Sequence, residues 1–295
     1  MLAPLLALLS AASWGAADFA GGITTRLSSS VVAVLLTQGV GLGLAAILLV
    51  ASAEPMPSQE ALAWAAAAGV SGALGLAFFY LALSRGTMGL VAPLTALLAA
   101  AIPAIVGLLG GDDPGPLDLA GMVAALVAVV LISLPDRRLG APVLPTFHGS
   151  RVREWLLILA ASLGFAGFFL GVDASHASGG EVWWPLFIIK VAGVAGVGLV
   201  VLVAWPLGRA LVHRVPRAAL LTGTLGGAGD FGGNLFFVMA SDLGQLSVVV
   251  VLASLYPIGT ALLAQLFLDE RLGPVRMAGV ALAVVGVMLI GLGAL

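Results

Sequence analysis

The sequence predicts an all-α membrane protein with ten transmembrane helices, arranged as two inverted five-helix repeats around a central cavity. Three observations predict it: an apolar composition, ten apolar segments of helix length, and an internal repeat. Of the 295 residues, 61% are hydrophobic and only 9% are charged, and the mean hydropathy is +1.18. Soluble domains carry roughly a quarter charged residues. With so few charges a water-facing surface cannot be covered, so the solvent must be lipid.

The same composition excludes several functions. A net charge of -2 leaves no basic footprint for nucleic acid. The absence of Cys removes disulfides, thiolate metal sites and thiol catalysis. The first stretch, Leu2 to Ser13, has no positive residue before its apolar run and reads as a retained helix rather than a cleaved signal.

A spanning helix needs about 20 mostly apolar residues. Breaks at charges and Gly/Pro clusters delimit ten such segments, at 3–22, 31–52, 60–83, 88–109, 116–134, 154–174, 183–206, 217–240, 245–268 and 273–293. The longest polar stretch, 135–153, holds Pro135, Pro142, Pro145 and five charged residues. It reads as a connecting loop between a first half, 1–134, and a second half, 154–295.

The repeat is the most informative feature. An offset of 158 residues brings Gly69 onto Gly227, Phe78-Phe79 onto Phe236-Phe237, Gly115-Pro116 onto Gly273-Pro274, and Ala120-Gly121 onto Ala278-Gly279, without gaps. Five helices per half is an odd number, so the second half enters the membrane from the opposite side. That inverted arrangement suits a site that opens alternately to each face. Every arginine, from Arg26 to Arg276, follows an odd-numbered segment. The even connections carry Glu54, Glu60, Asp112, Asp113, Asp173, Glu181 and Asp242 instead. By positive charge alone the odd connections are cytoplasmic and both termini outside.

The residues Trp14-Gly15-Ala16-Ala17-Asp18-Phe19, Ala82-Leu83-Ser84-Arg85-Gly86, Leu255-Tyr256-Pro257, Asp269-Glu270-Arg271-Leu272 and Ala278-Gly279 stand in order along the chain. In these motifs the chain resembles the EamA family of the drug/metabolite transporter superfamily, as two tandem units. The resemblance implies ten helices around a central cavity and export or exchange of amino acids, other metabolites or drugs. It also implies both termini in the cytoplasm, against the arginine distribution, so orientation stays open. Asp18 stands where the family often has Asn, and Asp112-Asp113-Pro114 where Glu-Arg is usual.

The expected function is therefore a secondary transporter in the inner membrane, an exporter or exchanger working by alternating access. Its partners would be a small-molecule substrate, the lipid bilayer and protons as coupling ion, with no cofactor, metal or nucleic acid and no enzymatic step. The alternatives are a membrane-embedded enzyme acting on lipid or isoprenoid substrates, and a structural subunit.

Charges inside a bilayer are costly and need a cavity or a partner. Lys190, the only lysine, reads either as a substrate anchor or as a side chain snorkelling to the headgroups. Asp230 lies among glycines and shares a face with Asn234. It reads as a site for a cationic group or a coupling proton, or simply as the partner of Lys190. Asp18, placed near the end of the first helix, lines the cavity or sits at the interface. Trp14, Phe78, Phe79, Phe236 and Phe237 read as aromatic walls or as packing. Gln38, Thr37, Thr95, Ser254, Tyr256 and Gln265 can each bond a ligand, although polar side chains also join membrane helices. Pro93, Pro103 and Pro257 mark candidate kinks. His148, His176 and His213 read as solvated loop residues.

Overall fold

The computed structural model describes residues 2–85, 88–134, 151–203, 215–268 and 273–293. Among these the structure is all-helical. The helices are α1 (Leu2–Leu27), α2 (Ser30–Ser52), α3 (Gln59–Arg85), α4 (Met88–Gly110), α5 (Pro116–Ser133), α6 (Arg151–Ala177), α7 (Trp183–Val203), α8 (Arg217–Leu243), α9 (Leu246–Ala253), α10 (Tyr256–Leu268) and α11 (Pro274–Gly293). Among the described residues, seven spans are long and apolar enough to cross a membrane, and α9 with α10 forms one of them, Leu246–Leu268. A belt of exposed apolar side chains, including Leu5, Ile47, Val50, Leu109 and Leu266, faces outward, as lipid requires.

Helix ends follow local chemistry. Ser29 caps α2 by accepting from Val32 N at 3.3 Å. Gly115 and Pro116 open α5, and Asp118 Oδ2 accepts from Gly115 N at 3.1 Å. The break between α9 and α10 comes just before Pro257, which has no N–H for the carbonyl of Ala253. Three boundaries correct the sequence reading. Helix α1 continues through the polar stretch Thr25-Arg26 to Leu27, α8 extends to Leu243, and α6 starts at Arg151, inside the expected loop. Helices continue through polar residues where the next turn leaves the hydrocarbon, which apolar runs alone do not reveal. The rest of that loop, 135–150, and Asp269-Glu270-Arg271 lie outside the described residues.

Three helix pairs form the frame: α1 along α8, α3 along α6, and α5 along α11. Around them, α2 packs on α8 and α7 on α3; α4 packs on α6, and α9 with α10 on α1; α2 meets α7 and α4 meets α9. Small residues allow the close approach. A Cβ on Gly229 would come 3.1 Å from Ser13 O, one on Gly171 would come 2.9 Å from the Ala68 Cβ, and one on Gly286 would come 2.8 Å from Gly121 O. Ser71 Oγ donates to Gly164 O at 2.9 Å across the α3–α6 seam, and Ser10 Oγ to Gly233 O at 2.8 Å across α1–α8.

Charge separates by end. Thr24 and Thr222 share a hydrogen bond of 2.7 Å, which places Arg26 and Arg217 at one end of the bundle. At the other, Glu54 receives Val182 N, Trp183 N and Trp184 N at 3.3, 2.9 and 3.1 Å, capping α7. Asp112 Oδ2 accepts from Ser247 N at 2.8 Å, at the start of α9. Two recesses, of about 400 and 340 Å³, lie at the periphery, and neither is lined by Lys190 or Asp230.

Candidate functional site

Lys190 sits on α7, seven residues past Trp183 (190 − 183), and points toward the middle of α8. Its Nζ donates to Asp230 Oδ2 at 2.5 Å. The lysine side chain is 4% exposed and that of Asp230 25%. The pairing named as the structural reading of Asp230 is thus realised, and Lys190 does not snorkel. Gly41 on α2 makes this geometry possible, because a Cβ there would lie 3.1 Å from Lys190 Cε. One turn away, the Gln38 amide nitrogen lies 2.9 Å from where a Gly193 Cβ would be, so Gln38 meets α7 beside the pair. Asn234 Nδ2 donates to the Asp230 carbonyl at 2.6 Å. Its amide nitrogen therefore donates within its own helix.

Helix α1 brings a second carboxylate. The helix exposes Leu2, Leu5, Leu9, Ala12 and Ala16, one stripe at three- to four-residue spacing. At 3.6 residues per turn, Asp18 lies about 200° around the helix from Ala16. It falls on the opposite face, one turn beyond Trp14. Asp18 is nevertheless exposed, so it looks into space between helices rather than at lipid. The charge of Asp230 acts on it, and its own charge acts on Tyr256. Among the described residues Asp18 has no hydrogen bond and no ion pair. Its placement corrects the sequence reading: α1 runs nine residues further (27 − 18), so Asp18 is well inside the helix.

Aromatic side chains close the same region. The Trp14 ring meets Phe168, Phe169, Phe237 and Tyr256 at centroid distances of 6.4, 6.0, 5.8 and 6.5 Å. Phe169 and Phe237 stand 4.8 Å apart. These rings come from α1, α6, α8 and α10, so the cluster joins four helices at the bundle centre. The approach of Trp14 to α8 depends on Gly233, where a Cβ would collide with the indole. Sequence reading missed Phe168 and Phe169. Their signal was an aromatic doublet between Gly167 and Gly171, the same pattern of small and large residues that marked α8.

The structure thus assembles Lys190, Asp230, Asn234, Asp18, Trp14, Gln38 and Tyr256 at one level. Ser254 is buried just past the end of α9, and its hydroxyl donates to Val251 O at 2.7 Å in the last turn of that helix. Gln265 and Phe78 are exposed on outer turns, and Phe79 meets Phe165 edge-to-face at 6.0 Å. Thr95 is buried in the bundle with no partner for its hydroxyl. His176 is a correction. It stands in the last turn of α6, 7% exposed at the side chain, with Nδ1 2.7 Å from Gly180 O. Burial against the 178–180 turn withdraws it from solvent. His148 and His213 lie outside the described residues.

One crystal structure superimposes on the chain with a TM-score of 0.76, over 98% of this chain and 98% of its own, at 18% identity. At that identity the likeness establishes the fold alone. No curated protein matches by sequence. Residues 153–292 match the EamA-like transporter family. They include α7, α8 and α10, and with them Lys190, Asp230, Asn234 and Tyr256. Membership of that family implies a transporter, with a small-molecule substrate and a membrane as its partners. Residues 153–292 thus form an EamA-like transporter family domain, of the drug/metabolite transporter superfamily.

Proposed function

We propose that the chain is a secondary transporter of the inner membrane, an exporter or exchanger of small polar metabolites such as amino acids, or of drugs. Its halves, 1–134 and 154–295, act as inverted repeats joined by 135–153, and substrate occupies a cavity at their seam. The observation that carries the reading is the polar group at that seam: Asp18 on α1 in the first half, with Lys190 and Asp230 on α7 and α8 in the second. Buried ionic groups in a bilayer mark substrate or ion pathways.

The packing supports the repeat. Exchanging α1 with α6, α2 with α7, α3 with α8, α4 with α9–α10, and α5 with α11 turns the α1–α8 contact into the α6–α3 contact. It also turns α2–α8 into α7–α3 and leaves α5–α11, α2–α7 and α4–α9 as they were. Two halves that meet through such interchangeable contacts can trade conformations, which moves the opening from one face to the other. Protons are proposed as the coupling ion, bound at a carboxylate of the seam. Gradient-driven transport that persists in Asp230→Asn excludes that residue from coupling.

The absence of Cys allows a substrate-independent test. Gly22 lies one turn beyond Asp18, is exposed, and has open space around its Cβ position. Gly22→Cys in sealed proteoliposomes of known orientation is treated with a membrane-impermeant maleimide from one side or the other. Alternating access predicts labelling from both sides. Labelling from a single side, however long the exposure, removes alternating access and favours a one-faced enzyme or a structural subunit.

A further inference from the structure

Resting on the transporter reading above, we infer that the seam takes a compact organic cation: an amine or ammonium with an apolar body and no carboxylate of its own. Its positive group pairs with Asp18, and its body lies against Trp14 and Tyr256.

Charge is the first ground. At this level the described residues present two carboxylates, Asp18 and Asp230, and one ammonium, Lys190. Lys190 is already held by Asp230, with its side chain almost wholly enclosed. Asp18 is left uncompensated. The nearest cation along α1, Arg26, is eight residues on (26 − 18), about 12 Å at the rise of an α-helix. A carboxylate inside a membrane protein without a counter-charge is costly, and an incoming cation removes that cost.

Shape and ring chemistry are the second ground. Asp18 follows Trp14 by one turn on the inward face, and Tyr256 stands edge-on to Trp14 at 6.5 Å. The Tyr256 hydroxyl makes no hydrogen bond among the described residues. Indole and phenol faces attract ammonium groups, and desolvation strengthens the attraction. The third ground is what the seam cannot supply. A zwitterion or an anion needs a free counter-charge for its carboxylate, and among the described residues the one ammonium at this level is engaged. The reading therefore narrows the broad substrate range to its cationic members.

The test uses the full chain in lipid nanodiscs and four probes that share a phenyl group but differ in charge. These are phenethylamine (cation), phenylalanine (zwitterion), 3-phenylpropionate (anion) and 2-phenylethanol (neutral). Calorimetric titration should give phenethylamine an affinity at least ten-fold above each of the others. Asp18→Asn should lower that affinity ten-fold or more, and Asp18→Glu should recover most of it. Equal affinities, a preference for the zwitterion or anion, or no binding of any probe overturns the cation assignment on the wild-type protein, whatever the variants do. Unchanged phenethylamine binding by Asp18→Asn also overturns it. Two-sided labelling of Gly22→Cys alongside such a result would leave the transporter reading standing and reject only the substrate class.

Discussion

Replacing Lys190 with Met leaves Asp230 without a counter-charge, and replacing Asp230 with Asn leaves Lys190 without one. Breaking a buried ion pair from one side costs about 3–5 kcal/mol, whereas replacing both partners by uncharged groups of similar volume is often close to neutral. The structure sets where each variant falls in that range. Asp230 keeps 25% of its side-chain surface, while Lys190 keeps 4%. The orphaned aspartate can draw on water, so Lys190→Met belongs near 3 kcal/mol, at the lower end. The orphaned lysine has no such relief, because its stem is enclosed by α2 at Gly41, so Asp230→Asn belongs near 4–5 kcal/mol. The double variant should lie within about 1.5 kcal/mol of wild type, since no charge is left unpaired. Unfolding by titration with denaturing detergent in mixed micelles measures all four corners of the cycle. Additive single effects, or Lys190→Met more damaging than Asp230→Asn, would refute the reasoning. Additivity would mean that the pair is solvated in the native state, and the reversed order that Asp230 gains no relief from its exposure.

Two further predictions rest on steric and capping contacts. In Gly15→Ala the new Cβ would stand 2.7 Å from Tyr256 O, 3.0 Å from Gly259 Cα and 3.1 Å from Thr260 N, all backbone, so α1 must move off α10. Overpacking of this kind costs about 1–3 kcal/mol. Gly21→Ala, with nothing within 4 Å of its Cβ, should be neutral in the same unfolding titration. Glu54→Ala removes the acceptor for three amides at the start of α7 and should cost about 1–2 kcal/mol. Hydrogen exchange should quicken at the amides of Val182, Trp183 and Trp184 while those of α8 stay protected. Unchanged exchange at those three amides would show that the cap does not hold α7 in solution.

The membrane class and ten of the helical segments are legible in the chain because lipid imposes one rule at every position. Backbone groups must bond within the segment, and side chains facing lipid must be apolar. Lys190 and Asp230 stand out by the same rule. They are charges where charges are costly, and their pairing is a local consequence of that cost. The break before Pro257 is legible too, since the missing N–H acts within one turn. Helix ends are less so. Thr25-Arg26 reads as a loop because polarity marks the edge of hydrocarbon, yet α1 continues through it into the interface.

The sequence by itself determined that this chain folds in lipid, where its helices lie, and that a few ionic side chains would need partners. Only the tertiary structure decided which partners those are. The orientation of Asp18 depends on which face of α1 meets α8, and that is set by Gly226, Gly229 and Gly233 on another helix. Likewise, Phe168 and Phe169 join Trp14 because α6 and α1, far apart in sequence, are brought together at the bundle centre. Hydropathy is a property of each residue alone, whereas a cluster across four helices depends on the distances between them. Those distances are fixed by the small residues at each seam, and they determine that Lys190 finds Asp230 while Asp18 is left free.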